Sequence, residues 1–392
     1  MYSTKGVFIL LFCGCYQMLV AQDSLSASRQ KISFNGYIKN LSSYSIDKLG
    51  HQNTFGNLVH NRFNIKWKPS TVITFAAELR NRLFWGDQVS RIPDFASRLR
   101  NNNEVWNLQK AWVSNNNLVL HTNVERLYVD LKKDKWQARI GRQRINWGMA
   151  TVWNPNDIYN AYNFLDIDYE ERPGSDAVSL QRNLSDFSHV EFVYSSSDDQ
   201  KKIAAARYFL NRWNYDLQFI SGIYHGAATL GLGWAGSIRE TGFKGEAQYY
   251  FAGKDSASQL NLTLALDHAF KHGWYLTVGG LYNSRGLNRN LNNPGELNLN
   301  LSSRNLMPAR FSWLLAVRKE ISPLSTASCT IVYSPQLDLL ILSPTISYNI
   351  SPQWDADLIW QSFFLRYQGS FQGLQDIGYL RFKWSFAGNG KQ

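Results

Sequence analysis

The chain has 392 residues, 44% of them hydrophobic and 14% aromatic, with a formal net charge of +11 and a mean hydropathy of -0.33. Beyond the extreme N-terminus it holds no apolar run of the roughly 20 residues a membrane-spanning helix needs, which excludes a helical membrane protein. Its basic residues are spread singly rather than clustered on one face, which argues against nucleic acid as a partner.

The first segment reads as a targeting signal. Lys5 supplies the positive end, residues 6–20 an apolar stretch, and Leu19-Val20-Ala21 a cleavage site. Residues 1–21 are therefore expected to be a signal peptide and 22–31 a polar periplasmic tail. Lipidation of Cys15 after Gly14 is a lesser reading, because Phe12 suits it poorly. Of the three cysteines only Cys329 lies outside this leader, so no intramolecular disulfide is expected. No Cys/His spacing suits a metal, and no cofactor is implied.

From Ile32 onward apolar and polar residues alternate almost to the end. In 260–267, Leu260, Leu262, Leu264 and Leu266 share one face, while Asn261, Thr263, Ala265 and Asp267 share the other. In 311–318, Phe311, Trp313, Leu315 and Val317 alternate with Ser312, Leu314, Ala316 and Arg318. Leu380, Phe382 and Trp384 alternate with Arg381 and Lys383. The 14 Trp, 20 Tyr and 22 Phe suit a β-barrel, whose lipid face takes every second residue. A soluble antiparallel sheet alternates in the same way.

The connections separate the two. Counting from Ile32, every second one is short: Pro69-Ser70, Lys132 to Lys135, Arg212-Trp213, Lys271 to Gly273, Ser351-Pro352. The long ones have the other parity: Gly86 to Leu120, Asn146 to Gly174, Ser284 to Pro308, Arg366 to Ile377. A soluble sandwich has no reason to sort loop length by parity, whereas an outer-membrane barrel has short turns on one rim and long loops on the other. Trp67, Trp136, Trp274, Trp354, Tyr348 and Tyr333 fall near strand ends, as aromatic girdles require. The expected fold is all-β: a transmembrane antiparallel up-and-down β-barrel over 32–386, of about 18 strands with about 16 as the alternative. Residues 387–392 are left as a C-terminal tail.

The densest segment is Arg139 to Leu180. It carries Gly141-Arg142-Gln143, Trp147-Gly148, Asn154-Pro155-Asn156-Asp157 and Arg172-Pro173-Gly174. In these motifs and their order it resembles a porin-like family of Gram-negative outer-membrane barrels of unknown function. The resemblance covers about a tenth of the chain. It implies a barrel and an outer-membrane address, and no substrate.

The residues themselves predict a strand that ends near Gly141, a turn at Asn154-Pro155, and a long loop folding inward. Trp147, Trp153, Tyr159, Tyr162 and Phe164 would pack under the barrel mouth. Such a loop either constricts a channel or packs only for its own stability, and both readings stand. The candidate loop residues are Gly141, Arg142, Gln143, Trp147, Gly148, Asn154, Pro155, Asp157, Arg172 and Gly174. The acidic run Asp166, Asp168, Glu170 and Glu171 beside Arg172 lacks the spacing of a calcium loop.

The polar strand face carries more Arg and Lys than Asp and Glu. Arg62, Arg80, Arg82, Arg126 and Arg139 fall on it and form a candidate basic ladder, which favours anions in a pore. Neutralisation by Glu78 and nearby acids is the competing reading. Neither Gly-x-Ser-x-Gly nor His-Glu-x-x-His occurs, so no enzyme is expected. The first functional expectation is a passive channel for small hydrophilic solutes, with lipid as the other partner and the oligomeric state open. The alternative is a non-conducting scaffold whose loop aromatics (Trp85, Trp106, Trp147, Trp153) recognise a surface polysaccharide or a partner protein. An outer-membrane barrel enzyme is the third.

Overall fold

A computed structural model describes residues 31–100, 104–161, 163–168, 173–197, 201–254, 256–291, 294–297 and 301–388. The expected signal peptide lies outside the described residues, as do Tyr162, Glu170, Glu171 and Arg172 of the loop.

Strands dominate. In chain order they are β1 (Ile32–Asp47), β2 (Asn53–Trp67), β3 (Ile73–Gly86), β4 (Gln109–Ser114), β5 (Leu118–Lys133), β6 (Trp136–Gln143), β7 (Ser175–Ser185), β8 (Ser188–Ser196), β9 (Lys202–Arg212) and β10 (Tyr215–Tyr224). There follow β11 (Ala227–Ile238), β12 (Thr241–Tyr250), β13 (Gln259–Phe270), β14 (Trp274–Asn283), β15 (Phe311–Ser322), β16 (Ser325–Ser334), β17 (Leu339–Ser351), β18 (Trp354–Tyr367) and β19 (Ser370–Ala387). All pairings are antiparallel between neighbours, and β19 closes onto β1 with Asn35 opposite Ala387. Only β4 stands outside the cycle. β3 pairs directly with β5, and β4 lies along β5 as an extra strand. The barrel proper therefore has 18 strands, as the alternation predicts. Closure leaves no free edge within the cycle.

The alternation sorts as a barrel in lipid requires. Leu264, Leu266, Trp313, Phe382 and Trp384 point outward and are exposed, whereas Asn261, Thr263 and Ser312 point inward and are buried. Trp67, Trp136, Trp274, Tyr348 and Trp354 form an exposed aromatic belt along the short-turn rim. The even strand number puts both ends of the barrel on that rim, which is the periplasmic one in barrels of this kind.

Two connections differ from expectation. Arg366 to Ile377 is not a long loop. β18 and β19 run on as a hairpin whose turn is Gln368-Gly369, both with positive φ (51° and 79°), which matches the twist of the flanking strands. The connection after β3 is not bare loop either. It holds two short helices, α1 (Asp87–Arg91) and α2 (Phe95–Arg98), and then β4.

Candidate functional site

The bore is crossed by the connection between β6 and β7. The departure from the wall begins at Gly141, where φ is +118° and a Cβ would lie 2.2 Å from the Leu127 carbonyl oxygen; only glycine fits. Gln143 ends the strand, donating to the Ala177 carbonyl at 2.9 Å and accepting from the Ser179 hydroxyl at 3.1 Å. The chain then turns into the lumen.

The motif residues tie the first half of this loop to itself. The Trp147 amide donates to Asp157 Oδ1 at 3.1 Å. The Asp157 amide donates to the Asn154 carbonyl at 3.1 Å, closing the turn at Pro155. Gly148 abuts Asn154 so closely that a Cβ would sit 2.2 Å from its Oδ1. Gly174, at the far end, packs beside the Glu125 carbonyl.

Four parts of the wall hold the loop. On β8, Glu191 accepts the Trp147 indole at 2.8 Å. On β12, the fully buried Glu246 accepts backbone amides of Ala150 and Asn156 at 2.6 and 2.9 Å, and that of Met149 as well. Three amides on one carboxylate are charge-assisted bonds, roughly twice as strong as neutral ones. On the β14–β17 side, Trp153 enters an apolar cluster with Leu281, Leu314 and Leu339, which Leu306 and Met307 of the connection after β14 also join. On β1 and β2, Asp168 meets Lys39 Nζ at 3.2 Å and His60 Nδ1 at 2.9 Å. Burial works to raise the Asp168 carboxyl; the His60 hydrogen bond and the charges of His60, Lys39 and Arg80 outweigh it and hold the pKa well below the usual carboxylate range.

Arg142 does not belong to the lumen. It pairs across the ladder with Leu127 and Asp176 and shares their outward side. Its guanidinium meets Glu104 and Asp176, each at 2.8 Å, and donates to the carbonyls of Val124 and Trp106. The Asp176 carboxylate also accepts the amides of Val105 and Trp106. This buried triad clamps the segment before β4 onto the outer wall, where β6 has ended and β4 takes its place beside the upper half of β5.

The five ladder arginines lie side by side on β2, β3, β5 and β6, with Arg62 directly opposite Arg80. Acids are interleaved among them. Glu78 meets Arg62 at 2.5 Å and Arg126 at 3.3 Å, Glu125 meets Arg80 at 3.0 Å, and Asp130 meets Arg139 at 3.0 Å. Arg82 lies 3.4 Å from His121 Nδ1. Arg62 and Arg80 are buried at 1% and 6% exposure, so their charges do not meet open water. At the short-turn rim, on the side of β1–β3, β5 and β6, the wall bounds a vestibule of about 860 Å³. Five cations, Lys31, Lys66, Lys68, Lys132 and Arg139, line it against one carboxylate, Asp130.

Alternation alone does not mark Glu191, Glu246, Lys39 and His60 as anchors of the loop, nor Glu125 as an acid of the ladder. Glu125 is hidden by a bulge: the register shifts between Glu78 and Leu79 of β3, so Glu125 and Arg126 both reach the Glu78–Arg80 side despite being adjacent in sequence.

A closed 18-strand barrel, apolar outside and polar inside, with a long loop drawn through its bore, is a porin-like barrel of the outer membrane. Solved structures agree in fold. The outer membrane protein OprD from Pseudomonas aeruginosa superposes with a TM-score of 0.59 at 9% identity, over 91% of this chain and 94% of that one. OccK11 (OpdR) of the same organism gives 0.57 at 9%, over 91% and 96%, and OccAB4 of Acinetobacter baumannii 0.57 at 10%, over 91% and 98%. At such identity the likeness concerns the fold. No family model and no curated protein sequence matches the chain.

Proposed function

We propose that the protein is a passive outer-membrane channel for small hydrophilic solutes, weakly anion-preferring, with no catalytic role. The observation that carries the preference is the vestibule, with five cations against one carboxylate. Low-dielectric walls focus the field of such charges on the bore. The ladder contributes less, since five arginines there face three carboxylates. The loop from β6, held to the wall on four sides, supplies the constriction that sets solute size. Reconstitution in a planar bilayer under a salt gradient tests the reading. Discrete conductance steps with a reversal potential toward the anion support it; a silent bilayer retires it.

The non-conducting scaffold has one observation in its favour. The apolar cluster around Trp153, Leu306 and Met307 fills part of the lumen from two loops. A silent bilayer together with intact heat-shifted mobility on a gel is the outcome this second reading requires.

A further inference from the structure

We propose that a cavity among the long loops binds a small polyhydroxylated anion, the carboxylate of a sugar acid or the phosphate of a sugar phosphate, through Arg304. The cavity is about 370 Å³, within the range of small-ligand sites. It lies between the inward loop and the loop-side ends of β7 to β10, with residues 301–304 along one side.

Arg304 is held in place, and among the described residues no carboxylate is paired with it. Its Nε donates to Gln259 Oε1 at 2.9 Å, its Nη2 to the Ala257 carbonyl at 2.7 Å, and its plane lies 5.0 Å from the Tyr250 ring centre. All three partners are uncharged. By contrast Arg62, Arg80, Arg126, Arg139, Arg142 and Arg207 each meet a carboxylate within 3.3 Å. A pre-positioned guanidinium beside a cavity is suited to a carboxylate or phosphate, because little side-chain freedom is left to lose on binding.

The surroundings agree on charge and on shape. Lys201 stands on the same cavity. Partial burial, followed by the charges of Lys201 and Arg304, lowers His225 to about 4. His225 is therefore neutral at ordinary pH. Its ring stacks on Tyr224 at 3.9 Å, and such a platform suits the apolar face of a sugar ring. Ser303 lies beside the Tyr224 hydroxyl, and Tyr224, Ser303 and Ser196 all line the cavity. These hydroxyls can both donate to and accept from a polyol.

The site does not depend on conduction, so binding is read in detergent on the full-length protein. Gluconate and glucose 6-phosphate are the anionic probes, and glucose is the neutral one, each titrated calorimetrically. At least one anion is expected to bind about tenfold more tightly than glucose, the contribution of one charge-assisted contact. Gluconate alone, or glucose 6-phosphate alone, identifies the preferred anion. Arg304→Gln should remove the difference while the heat-shifted mobility remains. If that variant does not fold, Arg304→Lys, which keeps the charge but loses the fork, should fold and narrow the difference. Equal binding of glucose and both anions, no binding by any of the three, or an unchanged preference in the variant that folds overturns the proposal. A silent bilayer would leave it standing, and absent binding would leave the channel reading standing.

Discussion

Arg142 Nε lies 2.8 Å from Asp176 Oδ1 on the membrane side of the barrel wall, and the two side chains are 1% and 4% exposed. Two charges in such a place need each other. The triad with Glu104 exists because β6 stops early, and it seals the gap with the segment leading to β4.

Arg142→Met takes the guanidinium away from the buried carboxylates of Glu104 and Asp176. Breaking a buried ion pair in this way costs about 3–5 kcal/mol. The expected outcome is a large fall in the temperature at which the protein loses its heat-shifted mobility. The triple variant Glu104→Leu, Arg142→Met, Asp176→Leu should recover most of that loss, because no charge is left stranded. A triple variant no better than the single one would show that the segment needs the ions themselves.

Glu246→Gln tests the grip on the loop. The amide keeps the shape, but it loses the charge that accepts three backbone amides and brings an NH₂ group against donors. The loop should loosen about Met149 to Asn156. Single-channel records should then show larger and noisier openings, with mobility on gels little changed. Quiet openings of unchanged size would mean that the Trp153 cluster alone fixes the loop.

The barrel could be read from sequence because a period of two is a local property and the lipid face enforces it over 18 strands. Loop parity gave the topology for the same reason. The inward loop was readable from Gly141 and the Asn154-Pro155 turn, which are also local. Its anchors were not, since Glu246 is 90 residues from the Asn156 amide it accepts. β4 leaves no trace of alternation because none of its six residues is buried and four are exposed. The hairpin at Gln368-Gly369 was taken for loop because its turn sits in a polar stretch that mimics one. The bulge that brings Glu125 to Arg80 is invisible to strict alternation.

Asp168 predicts how the constriction responds to acid. Its pKa is depressed in the folded chain, so its contribution is present above the ordinary carboxylate value of about 3.9 and is lost only as pH falls through the lower folded value. Protonating His60 would add attraction, not remove it. Between about pH 7 and pH 4 the bond to Lys39 should therefore persist, and conductance noise should stay constant. Asp168→Asn leaves Lys39 buried beside a neutral amide and should raise the noise at both ends of that range. Noise that rises in the parent protein on acidification would place the release on another group.

The vestibule and the ladder differ in which variant should move the ion preference more, and this separates them. Lys66, Lys68 and Lys132 line open water, so Lys66→Gln, Lys68→Gln and Lys132→Gln together remove three charges from the field that a permeating ion meets. The reversal potential should move toward the cation with the fold intact. The shift should shrink at high salt, because the screening length falls to about 3 Å at 1 M. Arg62→Gln, Arg80→Gln and Arg82→Gln act on residues that are buried or covered. Arg62 and Arg80 are paired with Glu78 and Glu125, so this variant takes one buried cation from each carboxylate and leaves Glu78 with Arg126. Its main effect should be lost stability, and any change in reversal potential should be the smaller of the two. If instead the arginine variant folds normally and moves the potential more than the lysine variant, ions pass along the β2–β3 wall, and the selective charge lies at the ladder and not at the periplasmic mouth.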